Sequence, residues 1–391
     1  MQAEREDPIR TADAAASGPG GPSETDERTI QLTGGEEPPV SERNGRAGGP
    51  VYTTRREVES LGVSLGPALH DACGDRLGDI EWFQSAWQKS GAATGRTYWR
   101  LPNGRVIDAI VKVPVGYREF YWSTRLGEVD PMWWESGECQ RLPVPRMLAS
   151  GVELGGYDIA WLVEEKVAGK PVSKRMDRDS IEQLFFAAAR FHARAREVKP
   201  AERSAPAGEP DWRAVLRRAR TRCIDNRIDQ TDAWVNAIDA ADRILPALLD
   251  RWHRRPMDTW CHGDLHPGNA MIREGCMDAS AGQPGDRRCG VLIDFSLVHP
   301  GHWVEDALYL ERMYWGHEHL LCGIEPLRCL AEHRLLLGLH ADGVDDELAD
   351  IRRLLMGVTS PAFLHHENDP VYLGAALDKA NGLIPQFGGS L

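Results

Sequence analysis

CHGDLHPGNAMI (261–272) and, after an insertion, VLIDFS (291–296) decide how this chain of 391 residues folds. The first segment sets Asp264 five positions ahead of Asn269. The second is an apolar strand that ends in Asp294. Each of the three could be a turn-capping residue, a role that Asx side chains fill often. Their joint occurrence, in this order and behind an apolar strand, points to chemistry instead.

The chemistry that fits is phosphoryl transfer. It asks for a carboxylate that orients the attacking hydroxyl and accepts its proton, and for hard oxygen ligands that hold magnesium against the phosphates. Asp264 suits the base. Asn269 and Asp294 suit the metal, because an amide carbonyl and a carboxylate are oxygen donors that magnesium prefers. A second reading uses His262, Asp264 and His266 as three ligands of a catalytic zinc in a metallohydrolase. That reading leaves Asn269 without a role, and His262 and His266 are expected to be structural, hydrogen-bonding to hold the loop in shape.

HGDLHPGN resembles the catalytic loop of the aminoglycoside phosphotransferase family and its relatives, the choline, homoserine and other small-molecule kinases. The Asp-x-x-x-x-Asn spacing is also that of the protein-kinase H-R-D-x-x-x-x-N motif. IDF resembles the magnesium-binding strand and turn, with Ser296 where protein kinases carry the Gly of D-F-G, a departure that counts against a protein kinase. The resemblance covers about residues 80–310 in the family's order. It implies a protein kinase-like two-lobed α+β fold, with ATP between a β-rich N-lobe (51–167) and a mainly helical C-lobe (168–391) that builds the acceptor pocket.

Further roles follow from the resemblance. Lys112, in AIVKV, resembles the strand lysine that holds the nucleotide α- and β-phosphates. Glu119 in REFYW is its expected carboxylate partner, with Glu128 as the alternative. LVEEKVAG (162–169) resembles the family's hinge, which puts Glu164 to Val167 near the adenine, with Glu165 at the patterned position. AAARFHA resembles the helix that precedes the catalytic loop, and Asp306 in GHWVEDALYL resembles an Asp that braces it. The phosphate-covering loop is expected in SGAATGRTYW (90–99), although no tight G-x-G-x-x-G is present. A catalytically silent, nucleotide-binding regulator with the same fold is the competing class. The complete set of Asp264, Asn269 and Asp294 stands against it.

Periodicity reads consistently around these motifs. RTYWRLPNGRVIDAIVKVPV reads as strands 96–101 and 106–113 joined by a Pro-Asn-Gly turn. Residues 118–126 form an aromatic-rich helix candidate, and YDIAWLVEEKVAG runs as a strand into a turn at Gly169. SIEQLFFAAARFHARAR (180–196) carries apolar residues near a 3.6 period, with Asp179 as N-cap. A further helix spans 232–252, with Pro246 marking a kink or break. The insertion REGCMDASAGQPGDRRCG reads as an exposed loop between two strands.

Composition narrows the classes further. The chain is 42% hydrophobic and 27% charged, with net charge −13, which argues against nucleic acid as the main partner. Residues 1–50 carry ten Asp/Glu against five Arg and almost no large apolar residue, so they read as a disordered acidic tail. No window approaches the roughly 18 apolar residues of a membrane span, and the acidic N-terminus lacks the apolar core of a secretory signal. The cytoplasm is therefore the default, with no membrane partner. Eight scattered cysteines without a C-x-x-C pair read as free thiols. The expected partner is a small hydroxyl-bearing molecule, and the acidic body would suit a cationic one.

Overall fold

The computed structural model describes residues 55–83, 92–128, 142–201, 210–276, 287–341, 344–364 and 369–388. Helix α1 (Arg55–Cys73) leads into β1 (Glu81–Phe83), β2 (Ala93–Arg100) and β3 (Val106–Val113); α2 (Tyr117–Gly127), β4 (Met147–Gly151) and β5 (Trp161–Glu165) follow. The five strands form one antiparallel sheet in the order β1-β2-β3-β5-β4. The β2–β3 hairpin turns where Pro-Asn-Gly predicts. Gly104 takes φ +81°, and Asn103 Oδ1 accepts from Arg105 N at 3.0 Å.

Pleating separates two faces of β3. Ala109, Val111 and Val113 are fully buried in a core shared with α1, β2 and β5, so Ile110 and Lys112 take the other face. Register then sets Lys112 opposite Leu162 and Ile110 opposite Glu164. Leu162 and Glu164 are two residues apart and share a face of β5. Glu164 is thereby carried toward Lys112.

The rest of the chain is mainly helical, as the two-lobed α+β expectation requires. Helices α3 (Arg178–Val198), α4 (Trp212–Asn226) and α5 (Thr231–His253) precede β6 (Thr259–Cys261), β7 (Ala270–Cys276), β8 (Arg287–Leu292) and β9 (His299–Gly301). Helices α6 (Val304–Met313), α7 (Pro326–Leu336), α8 (Val344–Thr359) and α9 (Pro370–Gly388) complete it. β6 pairs with β9 and β7 with β8, as two small antiparallel ribbons. A second, larger core fills this part, and it takes in α2 through Trp122 and Leu126. The Trp122 ring lies 4.7 Å from that of Trp260. The helix that carries Glu119 thus joins the helical core and also packs against β4 of the sheet.

Several local expectations change. The cap of α3 is Asp177, not Asp179: Asp177 has extended backbone and its side chain accepts from Ser180 N at 2.8 Å. Pro246 neither breaks nor ends α5. The buried stripe Ala241, Ile244, Leu245, Leu248 and Trp252 continues past it, and that packing outweighs a proline cost of about 3 kcal/mol. Within the segment expected to cover the phosphates, Ala93–Trp99 is strand, and residues 90 and 91 lie outside the described residues. So do the tail, Trp133–Trp134, His365–His366 and most of the insertion between β7 and β8. Among the described residues, no helix is long and apolar enough to cross a membrane.

Candidate active site

The loop from His262 to Asn269 is held from below by one carboxylate. Asp306, in the first turn of α6, accepts from His262 N at 2.8 Å and from Gly263 N at 2.9 Å. Asp306 is fully buried. Burial alone would raise its pKa, but His192, His262 and the loop amides hold the carboxyl below its usual range. His192 Nε2 lies 2.9 Å from Asp306 Oδ2, and Arg334 Nη1 donates to His192 Nδ1 at 3.0 Å. Arg334 carries no acceptor, so His192 Nδ1 is unprotonated and Nε2 donates to Asp306. This chain, Arg334 to His192 to Asp306 to the loop amides, spans three helices. Arg334 went unseen in the sequence because its partner lies 142 residues away.

The turn of the loop needs glycine. Gly263 has φ +80°, and a Cβ there would stand 2.3 Å from Leu297 O. His262 is buried, with both ring nitrogens engaged by backbone: Nδ1 accepts from Asp264 N at 3.3 Å, and Nε2 lies 3.2 Å from Ile293 O. His266 Nδ1 accepts from Gly268 N at 2.9 Å, while its Nε2 is 3.6 Å from Asp264 Oδ2.

Asp264 is the convergence point. Its Oδ2 accepts from Asn269 Nδ2 at 2.8 Å, and its Oδ1 accepts from Tyr309 OH at 2.6 Å. Burial opposes ionisation, but His266, Tyr309 and His262 together hold the carboxyl below its usual range. Tyr309 is a second residue that sequence reading passed over. The available signal was its spacing: it follows Asp306 by three, one turn along the same helix face. Asn269 Nδ2 also reaches Asp264 O at 3.1 Å, so both amide hydrogens point inward and Oδ1 faces away. Asn269 O accepts from Ile293 N at 2.9 Å, which ties the loop to the turn bearing Asp294.

Asp294 has φ +66°, a strained value for a residue with a Cβ that Asp and Asn tolerate best. Its Oδ1 accepts from Ser296 Oγ at 2.7 Å and Ser296 N at 3.3 Å. The outward amide oxygen of Asn269 and the carboxylate of Asp294 are hard donors. They fit a magnesium ion, which binds few protein oxygens and keeps water or phosphate in the remaining positions.

On the sheet side, Lys112 Nζ lies 3.0 Å from Glu119 Oε1 and 3.1 Å from Glu164 Oε1. Burial works against the ammonium, yet Glu119, Glu164 and Asp294 outweigh it and raise its pKa. Burial also pushes the Glu164 carboxyl up, assisted by Glu119 and Asp294 and opposed by Lys112. Glu119, not Glu128, is the helix carboxylate at Lys112. Glu164 was not anticipated, because LVEEKVAG does not say which of two adjacent Glu faces the lysine. Glu165 points the other way, into ion pairs with Arg146 and Arg273. Its backbone N donates to Arg146 O at 2.9 Å, and Val167 is buried beyond it.

A cavity of about 1110 Å³ lies among α6, α7, α8 and α9, walled by Trp303, Glu311, Glu325, Asp345 and Lys379. None of Lys112, Asp264, Asn269 and Asp294 lines it. Trp303 and Glu311 fall on one face of α6 and Tyr309 on the opposite one, so the cavity sits behind the helix that supports Asp264.

Residues 90–321, more than half of the chain, match the family model described as APH, phosphotransferase enzyme family. Among solved structures, the chain is similar to an aminoglycoside phosphotransferase from Alicyclobacillus acidocaldarius, at 17% identity over 82% of this chain and 95% of that one, TM-score 0.46. It is similar to the Plasmodium vivax ethanolamine kinase at 12% identity over 86% and 89% of the two chains, TM-score 0.38. A third is an aminoglycoside phosphotransferase from Streptomyces rimosus in complex with ADP and streptomycin, at 15% identity over 77% and 98%, TM-score 0.37. No curated protein matches the chain.

Proposed function

The chain belongs to the phosphotransferase enzyme family and is a small-molecule kinase, and we propose that it moves the γ-phosphate of ATP, with magnesium, onto a hydroxyl of an aminoglycoside, an amino-alcohol or a sugar. The observation that carries this reading is the state of Asp264. It is ionised, buried and fixed by Asn269 and Tyr309 at once. A carboxylate so held keeps lone pairs for an incoming hydroxyl and is ready to take its proton.

Residues 51–167 form the nucleotide-binding lobe and 168–391 the lobe that carries the catalytic loop and the acceptor pocket. Lys112 holds the α- and β-phosphates, with Glu119 setting its position. The segment from Glu165 to Val167 lies along the adenine, Glu165 bracing it through Arg146 and Arg273. Asn269 and Asp294 hold magnesium, which when bound neutralises charge on the phosphate oxygens. Asp264 orients the acceptor hydroxyl and receives its proton at a carboxylate oxygen, while the hydroxyl oxygen attacks the γ-phosphorus and ADP leaves. His262, His266 and Asp306 keep the loop in shape. Most of the rate enhancement comes from positioning and charge neutralisation. The protein works in the cytoplasm on small molecules.

The zinc-hydrolase reading loses ground here, since both nitrogens of His262 are engaged by backbone. The deciding experiment measures magnesium-dependent ADP release across aminoglycosides, amino-alcohols and sugars, with Asp264→Asn as control. Acceptor-dependent turnover that falls about 10²- to 10⁴-fold in Asp264→Asn is the expected result. Turnover that survives the substitution would end the assignment of Asp264 as base. Tight binding of magnesium-ATP with no turnover on any acceptor would favour the silent regulator.

A further inference from the structure

Next to the start of the catalytic loop, three donors of different chemistry converge. Cys261 ends β6, His299 begins β9 and Glu305 lies in the first turn of α6. One ligand atom from each falls within 4.8 Å of the others. We propose that Cys261, His299 and Glu305 form a site for a soft divalent transition-metal ion of the zinc class, which clips β6, β9 and α6 together under the loop.

A thiolate, an imidazole and a carboxylate are the three side-chain donors that zinc takes, and a sulfur ligand excludes magnesium and calcium in practice. The surrounding contacts orient each donor: Cys261 Sγ donates to His302 O at 3.3 Å, a contact that ends when the thiol proton leaves. His299 Nδ1 lies 2.9 Å from Leu297 O, an acceptor only, so Nδ1 carries the hydrogen and Nε2 faces Glu305 Oε2 at 3.6 Å. A backbone carbonyl on the far nitrogen is the usual outer support of a metal-binding histidine. Glu305 Oε1 accepts from His302 N at 2.9 Å and from Arg255 Nε at 3.2 Å, which leaves Oε2 for the ion.

Space and charge agree with the assignment. A Cβ at Gly301 would stand 2.8 Å from Glu305 Oε1 and 3.0 Å from Cys261 Sγ, so glycine keeps the centre of the trio clear. His299 is 37% exposed, which opens a route from solvent and a position for water as fourth ligand. On binding, the thiol proton of Cys261 and the Nε2 proton of a charged His299 leave to solvent. Two protons exchanged for one divalent cation leave the formal charge of the pocket unchanged. The nearby guanidinium of Arg255 is already engaged by Glu305 and stacked on Trp252 at 4.0 Å, so it need not be displaced.

The location gives the ion leverage. Cys261 adjoins His262, and Glu305 adjoins Asp306, the carboxylate that holds the His262 and Gly263 amides. A clip here fixes both attachments of the loop.

The test is a cobalt(II) titration of chelator-treated, full-length protein, read by absorbance. One equivalent should bind with a thiolate-to-cobalt charge-transfer band and the visible bands of a tetrahedral ion, and zinc should displace it. Zinc alone should raise Tm. Cys261→Ser should abolish the charge-transfer band, and His299→Ala, at a partly exposed position, should weaken cobalt binding at least tenfold. Cys322→Ser, which removes an exposed thiol, should leave both unchanged. A wild-type complex without the thiolate band overturns the proposal, as does a band that persists in Cys261→Ser or an unaltered affinity in His299→Ala. The band also separates this site from His262, Asp264 and His266, which offer no sulfur.

Discussion

The hydroxyl of Tyr309 donates to Asp264 Oδ1 at 2.6 Å, while Asn269 occupies the other oxygen at 2.8 Å. Tyr309 therefore stabilises the ionised carboxylate and contributes to its lowered pKa. Tyr309→Phe removes one hydrogen bond to a charged group and leaves the ring packing in place, at a cost of about 1.5–3 kcal/mol to the anion. With the carboxylate less favoured, the pKa of Asp264 rises. The acid limb of the kcat/KM profile should move to higher pH while activity on the alkaline side changes little. An acid limb that stays where it was would detach Tyr309 from the chemistry.

Lys112 faces two carboxylates, and only one is needed to position it. Glu119 reaches from α2, which is anchored on the helical core, whereas Glu164 sits in the same sheet as the lysine. Glu119→Gln should weaken ATP binding and lower kcat, because the contact between sheet and helix is lost. Glu164→Gln should tighten ATP binding, because one negative charge is removed beside the triphosphate. Lys112→Met should weaken it by tenfold or more, about 1.4 kcal/mol. Calorimetric titration of the three variants checks the order, and Glu164→Gln binding more weakly than the parent would refute the assignment.

How much of this could be read from the sequence varied with the range of the contact. The hairpin around Pro102-Asn103-Gly104 and the apolar stripe of α3 were legible because turn chemistry and helical period are local. Asp264 and Asn269 could be singled out because their five-residue spacing is local, and Asp294 because it ends an apolar strand. The cap of α3 was placed two residues late, at Asp179 instead of Asp177, since both precede the same apolar run and only backbone geometry separates them. Tyr309, Glu164 and Arg334 depend on which face a residue presents to a partner far along the chain. For Arg334 and His192 that separation is 142 residues, and no local pattern encodes it.

Acid stability should reflect two buried neutral histidines. Burial lowers the pKa of His192 and of His262, so the folded protein resists protonating them. The unfolded chain protonates them near pH 6.5, so it binds more protons and stability falls as pH drops below about 6.5. With two sites the slope approaches about 2.7 kcal/mol per pH unit. His333 shifts the same way. His299 is raised, with its Glu305 pairing outweighing burial, and so acts only above that window as pH rises. The lowered carboxyls of Asp264, Asp306 and Glu305 add their loss at lower pH, below about 4. Urea unfolding from pH 7 to 4 should show the early loss, and His192→Gln should reduce its slope by about one proton. A curve flat down to pH 5 would contradict the neutral-histidine account.

The catalytic loop turns on a glycine in the left-handed region. Gly263 adopts φ +80°, and an added Cβ would meet Leu297 O at 2.3 Å. A backbone carbonyl cannot swing aside as a flexible side chain can, so Gly263→Ala must move the loop itself. Backbone strain of this kind costs about 1–3 kcal/mol, which should appear as a lower urea midpoint. The displacement also breaks the pair of amide bonds to Asp306, and with them the placement of Asp264 one residue on. Activity should therefore fall far more than stability, by about 10²-fold for a shift near 1 Å. Gly338→Ala is the matched control: its φ is +69° but nothing lies within 4 Å of the added Cβ. That variant should lose a similar share of stability and keep its turnover. Equal losses of activity in the two would mean that strain alone, and not the placement of Asp264, sets the rate.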